Sequence, residues 1–277
     1  MHRVTGAARK IRGRWRDMAE SDDPFYDYYA RESESDSTRS RFSRTKVLIE
    51  KVARQVGFAP APWTIADVGC GAGTQSLLWA GDGHVVHGVD INARLVELGR
   101  ARASRAGVPV HLSVGSAVDL PWPSQSMDIC LCPELLEHVA DWETCLREVA
   151  RILRPGGMAF ITTTNKLCPL QQEFYLPLYS WYPARQKRLF ERLAVTTRPA
   201  LVNHAQYPAV NWFSYAGLSG YFGERGFRCL DRFDLAALGS HGRPARWVQG
   251  AVRSSGVTRW FGQVATPRTV VLALKPA

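Results

Sequence analysis

Apolar and polar positions change period along the chain. Over "KVLIEKVARQVGF" (46–58), Val47, Ile49, Ala53 and Val56 keep near-helical spacing and Gly57 supplies a stop, which predicts a helix. From residue 64 short apolar runs alternate with longer amphipathic stretches. "TIADV" (64–68), "HVVHGVD" (84–90), "VPVHLSVG" (108–115), "MDICLCP" (127–133) and "MAFITTT" (158–164) read as strands. "TQSLLWAG" (74–81) and "NARLVELGRARASRAG" (92–107) read as helices between them, as does "DWETCLREVARILRPGG" (141–157). In the last of these Cys145, Leu146, Val149, Ile152 and Leu153 form one face, and Pro155-Gly156-Gly157 is the expected stop. Strands alternating with helices predict an α/β fold, a Rossmann-like doubly wound sheet with right-handed crossovers.

The alternation breaks after 165. Residues 166–213 are rich in aromatics and proline and read as a cap inserted before the last helix, "SYAGLSGYFGERG" (214–226). "FRCLDRFDL" (227–235) and "RTVVLALKP" (268–276) complete a seven-stranded sheet whose last strand is expected to be antiparallel. Residues 1–45, basic at the start and then mixing aromatics with Ser and charge, read as a flexible arm. Residues 46–277 read as the main domain.

Composition changes this picture little. The chain has 277 residues, 45% hydrophobic and 22% charged, as expected of a globular protein. No apolar run approaches the ~20 residues of a membrane helix, and the Arg-rich start lacks the apolar core of a secretory signal. The six cysteines have neither C-x-x-C pairing nor zinc spacing and read as buried reduced thiols, which points to the cytoplasm. Net charge is +10, concentrated in the first 16 residues, in "RQKRLFERLAVTTR" (185–198) and after Asp234. Such a balance attracts nucleic acid, anionic lipid or acidic ligands. Aromatics and leucines beside Arg185, Lys187 and Arg188 in 174–190 also suit peripheral contact with a membrane or with an amphiphilic ligand.

The chemistry starts at "ADVGCGAG" (66–73). Gly69 and Gly71 fit a dinucleotide fingerprint, but its third glycine position is Thr74, and Gly73 falls one residue early. D-x-G-x-G-x-G instead suits a ligand with a zwitterionic amino-acid end, with Asp67 orienting the loop or meeting an ammonium. Asp90, ending the second strand, is placed to accept two ribose hydroxyls or to cap the following helix. Ser116 and Ala117, after the third strand, fall where an adenine edge would lie, with Asp119 as a polar partner or a turn residue. After the fourth strand, "PELLEHV" (133–139) sets Glu134, Glu137 and His138 as E-x-x-E-H. These are the candidate catalytic residues: His138 as a base with a reference pKa near 6.5, or the trio around a divalent ion, or a structural brace. No metal ligand is assigned. Asn165 and Lys166, after the fifth strand, are expected to face the acceptor.

On "DVGCGAG", "GVDIN", "LPWPSQSMDICLC", "ELLEHV" and "RILRPGGMAFITTTN" the chain resembles the class I S-adenosylmethionine-dependent methyltransferases, over about 46–165 and again at 214–235. The resemblance implies S-adenosyl-L-methionine as cofactor and a binding set of Asp67, Gly69, Gly71, Gly73, Asp90, Ile91, Ser116, Ala117 and Pro133. Many relatives carry an acid where this chain has Ser116. Around 134–165 the chain is similar to the O-methyltransferases of ubiquinone biosynthesis, which implies O-methylation of a small or lipid-like hydrophobic acceptor. The cap departs from that family, so the acceptor itself does not carry over. The basic tracts motivate an alternative, an RNA methyltransferase. Against it, no nucleic-acid module stands beside the domain and the N-P-P-Y/F type tetrapeptide is absent, the fourth strand ending in "CPELL". A non-catalytic protein binding the same cofactor is the third possibility. The oligomeric state is not legible.

Overall fold

The structure, a computed structural model, describes residues 26, 30–58, 62–170, 173–198, 201–202, 209–239 and 255–277. The basic stretch 1–16 and much of the acid-free tail, 240–254, lie outside the described residues. Seven strands form one sheet: β1 (Thr64–Val68), β2 (Val85–Asp90), β3 (His111–Val114), β4 (Met127–Pro133), β5 (Leu153–Thr164), β6 (Arg228–Asp231) and β7 (Arg268–Leu274). Their order is β3-β2-β1-β4-β5-β7-β6, with β7 antiparallel to both its neighbours and the rest of the pairings parallel, as expected. The described helices are α1 (Asp36–Gln55), α2 (Thr74–Ala80), α3 (Ala93–Ala106), α4 (Trp142–Ile152), α5 (Ala184–Thr196), α6 (Tyr215–Gly223), α7 (Arg232–Gly239) and α8 (Gly256–Val264).

The apolar strands are continuous because helices cover both faces of the sheet. Successive side chains point to opposite faces. Cys130 and Cys132 of β4, Ala159 and Ile161 of β5, and Val271 and Ala273 of β7 therefore join one core with α4 and α6. Ile129, Leu131, Met158, Phe160, Leu272 and Leu274 join a second core with α1, α2 and α7. The described cysteines are free thiols, Cys229 half-buried and the others buried.

The sequence reading has no α5, α7 or α8, so α6 is not the last helix, and β3 starts at His111 and not at 108; three further boundaries also differ. First, α1 starts at Asp36, not at 46, so residues 36–45 of the expected arm are helical. Ser35 caps it, accepting from the Thr38 N–H. Second, α4 stops at Ile152 and β5 begins at Leu153, before the glycines. Proline at 155 disfavours a helical residue 154 and would clash with the carbonyl of Arg151. That carbonyl and the one of Ile152 are taken by the N–H groups of Gln125 and Ser126. Third, the strand read over 227–235 is cut to Arg228–Asp231. The Asp231 carboxylate accepts from the N–H groups of Phe233 and Asp234 and starts α7.

The cap leaves the sheet after Asn165 and returns at Phe213. These two residues pair, and Lys166 N–H donates to the Phe213 carbonyl. Its described part has its own small core, in which Phe174, Tyr179, Ala194 and Val202 pack with Leu176, Tyr182, Phe190 and Trp212.

Candidate functional site

The carboxyl ends of β1, β2 and β4 meet at one edge, where ligands bind in open α/β sheets. Gly69, directly after β1, has φ +77, and an added Cβ would come within 2.9 Å of Leu135 Cδ1. Its N–H and that of Cys70 both donate to the Val89 carbonyl, which ties the loop to β2. Gly73, with φ +76, starts α2, and a Cβ there would meet Leu112 Cδ1 at 3.1 Å and the Gly99 Cα at 3.5 Å. Gly73 therefore faces α3 and β3. Its smallness serves helix packing.

Asp67 is fully buried. Its carboxylate accepts from Ser76 Oγ at 2.5 Å and from Gln75 Nε2 at 3.4 Å, and burial pushes its pKa up to about 6. It braces the loop against α2. Asp90 is held differently. One carboxylate oxygen accepts from Gly71 N–H and the other from Asn92 N–H, both at 2.8 Å. Burial raises its pKa and these backbone bonds oppose the rise. The helix cap is Asn92, whose side chain accepts from Leu95 N–H, so Asp90 is free of that task. Ile91 beside it is 56% exposed. Ser116 and Ala117 are half-buried in a turn closed by Asp119 N–H donating to the Ser116 carbonyl, with the Asp119 side chain exposed.

Past β4, Pro133 pairs with Thr162 and Glu134 takes a left-handed φ of +52. Such a conformation costs a non-glycine residue roughly 1–2 kcal/mol. Arg41 of α1 and Arg268 of β7 each hold the Glu134 carboxylate at 2.7 Å. Glu137 points inward instead. It is buried, accepts from Thr163 Oγ1 at 2.8 Å, and burial pushes its pKa up to about 8. His138 Nδ1 is buried without a hydrogen-bond partner, and burial drives the imidazole pKa down to about 4. The E-x-x-E-H residues thus diverge, and among the described residues no cluster of His, Cys, Asp and Glu could hold a metal ion. Asn165 is also turned away from the expected acceptor. It is buried, and its amide donates to the carbonyls of Gln263 and Thr266 at 2.7 Å. Lys166 is exposed.

Several contributors carry no local motif. Asn211 of the cap donates to the carbonyls of Leu136 and Val139, at 3.1 and 2.8 Å, and so spans His138. Its own N–H and that of Val210 donate to the Glu137 carbonyl. Arg102 of α3 donates to the Ala30 carbonyl at 2.7 Å and to Ser33 Oγ at 3.0 Å, while Thr74 Oγ1 donates to the Ser33 carbonyl at 2.8 Å. Residues 30–34 therefore lie across the start of α2, over the glycine loop. The only sequence signal for these contacts is the polar stretch "RESES", whose partners lie far along the chain.

A sheet with this order, parallel but for β7, a glycine loop after β1 and an anchored acid at the end of β2 define the class I S-adenosylmethionine-dependent methyltransferase fold. Residues 66–161 match the family model of the methyltransferase domain. The ubiquinone biosynthesis O-methyltransferase of Xanthomonas axonopodis pv. citri (strain 306) is 38% identical over 108 residues, 39% of this chain and 45% of that protein. The enzyme of the same name from Coxiella burnetii (strain Dugway 5J108-111) is 33% identical over 102 residues, 37% of this chain and 44% of that protein. The chain thus spans less than half the length of these relatives. In fold it is similar to the YcgJ protein of Bacillus subtilis, with a TM-score of 0.53 at 18% identity, covering 84% of this chain and 99% of that one. It is also similar to a phosphoethanolamine N-methyltransferase 2 of Haemonchus contortus in complex with S-adenosyl-L-methionine. There the TM-score is 0.52 at 15% identity, covering 91% of this chain and 60% of that one.

S-adenosylmethionine is the cofactor that goes with this domain, and the donor set here fits it. Asp90 is fixed by two backbone N–H groups, and each oxygen keeps a lone pair for a sugar hydroxyl. The exposed Ile91 beside it gives an apolar base a surface to lie on. Gly69 lets the loop pass tightly beneath this edge, with a left-handed φ and Leu135 packed where a Cβ would stand.

Proposed function

We propose that the chain methylates an oxygen of a small or lipid-like hydrophobic acceptor, using S-adenosylmethionine. The observation that carries the acceptor side is the seat of the aromatic cap on the His138 loop through Asn211. The names of the matched relatives support an oxygen acceptor. The bound cofactor supplies an electrophilic methyl group, so the chain needs no nucleophile of its own. Its residues bind, orient and exclude water. Holding the reacting atoms about 3 Å apart contributes about 7–11 kcal/mol in well-oriented systems.

In this reading Asp90 holds the ribose, Ile91, Ser116 and Ala117 border the adenine, and Gly69, Gly71 and Pro133 border the methionine end. Asp67 and Gly73 act behind them, as loop brace and packing contact. His138 receives the acceptor's hydroxyl at Nδ1, the partner this nitrogen lacks. Because burial keeps the imidazole neutral at pH 7, Nδ1 in the Nε2–H tautomer can accept the hydroxyl's hydrogen bond and so orient the acceptor oxygen. Glu137 and Glu134 are positioning residues, one anchoring the loop to Thr163 and the other to two arginines. Residues 166–213 form the acceptor's wall. Their outer face, where Tyr175 is 66% and Trp181 55% exposed, rests against a membrane surface.

The test is transfer of labelled methyl from S-adenosylmethionine offered with lipid extract, phenols and RNA in one mixture. Label in the organic phase is the expected result; label in RNA, or none anywhere, overturns the proposal. The His138→Ala variant is expected to lose at least about tenfold in turnover with the cofactor Kd unchanged, and full turnover would make His138 structural.

A further inference from the structure

Among the described residues three buried polar side-chain atoms have no hydrogen-bond partner: His138 Nδ1, Ser180 Oγ and Trp212 Nε1. The first belongs to the site above. The other two belong to cap residues that both touch one lysine, Ser180 through its carbonyl and Trp212 through its ring face. Lys187 Nζ lies 4.0 Å from the centre of the Trp212 ring and 5.7 Å from that of Tyr179, and donates to the Ser180 carbonyl at 2.8 Å. Ser180 itself is only 3% exposed.

An indole N–H can only donate, an ammonium can only donate, and a serine hydroxyl can donate. The group of three therefore offers donors and a positive charge, and of the lysine's three N–H bonds the Ser180 carbonyl takes one. Burying donors unpaired is costly, and native proteins rarely do so without a reason. A lysine that only held the cap together would be satisfied by the Ser180 carbonyl and the indole face, and would not account for two further donors left open. Glu191 is the carboxylate near enough to act on Lys187, yet no ion pair between them is formed among the described residues. Burial pushes Glu191 up to about 7 and, with Lys166 nearby, Lys187 down to about 8. At neutral pH the lysine still carries charge while much of the competing carboxyl does not. Around the donors stand Phe174, Tyr182 and Phe190, an apolar wall.

We propose that Lys187, Ser180 and Trp212 bind an oxyanion, a carboxylate or a phosphate ester, on an otherwise hydrophobic acceptor. The assignment rests on the cap being the acceptor's wall, and it narrows the substrate class from hydrophobic to amphiphilic and acidic. Asn211 places the site beside the methyl-transfer centre, because it precedes Trp212 directly and spans His138.

Calorimetric titration of the full chain with octanoate, octyl phosphate and the neutral 1-octanol tests this. The wild type is expected to bind at least one anionic probe about tenfold or more tighter than 1-octanol, and the tighter of the two names the oxyanion. Lys187→Met is expected to bring the two affinities within about twofold, Lys187→Arg to keep most of the preference, and Ser180→Ala and Trp212→Phe each to weaken anion binding severalfold. Equal affinity for all three probes in the wild type, no binding of any, or a preference that survives in Lys187→Met overturns the proposal. Should Lys187→Met fail to fold, Ser180→Ala and Trp212→Phe decide it: unchanged anion binding in both sinks it. S-adenosylmethionine affinity, measured on the same samples, separates the two readings. If it is absent while the anion preference holds, the methyltransferase reading falls alone; the reverse removes only the anion site.

Discussion

Two carboxylates along one sheet edge, Asp90 and Glu137, meet different fates, set by what surrounds each. Asp90 sits at the end of β2 with both oxygens on backbone N–H groups and its outer side toward the exposed Ile91. Asp90→Ala is expected to weaken S-adenosylmethionine binding by about tenfold or more in calorimetry, as for a lost charge-assisted hydrogen bond of ~1.5–3 kcal/mol. Glu137 is buried, with a pKa of about 8 in the folded chain against an ordinary 4.5. Between those values the folded protein keeps a proton that the unfolded chain has released. Its ionisation thus erodes stability as pH rises from about 4.5 to about 8, by at most ~1.4 kcal/mol per pH unit. Glu137→Gln keeps an acceptor for Thr163 and has no such proton. Urea denaturation from pH 5 to pH 9 should therefore show the variant gaining on the wild type as pH rises. A constant difference between the two would mean that Glu137 is ionised in the fold.

Between elements, the loop after β4 is where the chain's parts are fastened. Glu134 joins α1, β4 and β7 through Arg41 and Arg268. The pairs are partly exposed, so each is worth roughly 0.2–1 kcal/mol, and the backbone at Glu134 is strained. Glu134→Gln should cost about 1 kcal/mol and speed hydrogen exchange at α1 amides near residue 41 more than elsewhere. Uniform exchange would show that the contact does not hold the helix. Gly69 abuts the same loop. Gly69→Ala imposes a left-handed alanine and a clash with Leu135, for a total of about 2–3 kcal/mol. Adding Leu135→Ala to it should recover its sensitivity to the clash but not the backbone part, which a double-mutant cycle by denaturation would resolve.

At the scale of the molecule, a +10 chain carries an aromatic cap with Tyr175, Leu178, Trp181 and Leu189 exposed, next to Arg185 and Arg188. Among the described residues no helix is long and apolar enough to cross a membrane. Contact with lipid would therefore be interfacial, a mixture of side-chain insertion and charge. Cosedimentation with vesicles containing phosphatidylserine is expected to fall as salt is raised and to drop severalfold in Trp181→Glu. Binding that ignores both changes would place the lipid contact elsewhere or nowhere.

The alternation of apolar runs and amphipathic stretches was enough, by itself, to determine the sheet and the helices α2, α3, α4 and α6, but not α5, α7 or α8. Each of those features is written in neighbouring residues: period, glycine stops, and an acid at a strand end. Asp90 and Gly69 were legible for the same reason. What a residue does when its partner is distant in sequence was decided only by the tertiary structure. Asp67 and Gly73 stand together in a motif, but that one is bonded by Ser76 and the other packs toward Leu112 is visible only in the fold. Asn165 looks exposed after a strand, but is buried under the turn at 263–266. Glu134, Glu137 and His138 share five residues yet face different neighbours, because a left-handed turn separates the first from the others. The donors around Lys187 come from residues 180, 187 and 212, and no period or motif joins them. Their meeting depends on how the cap folds back on itself, a long-range packing outcome to which local propensity is blind.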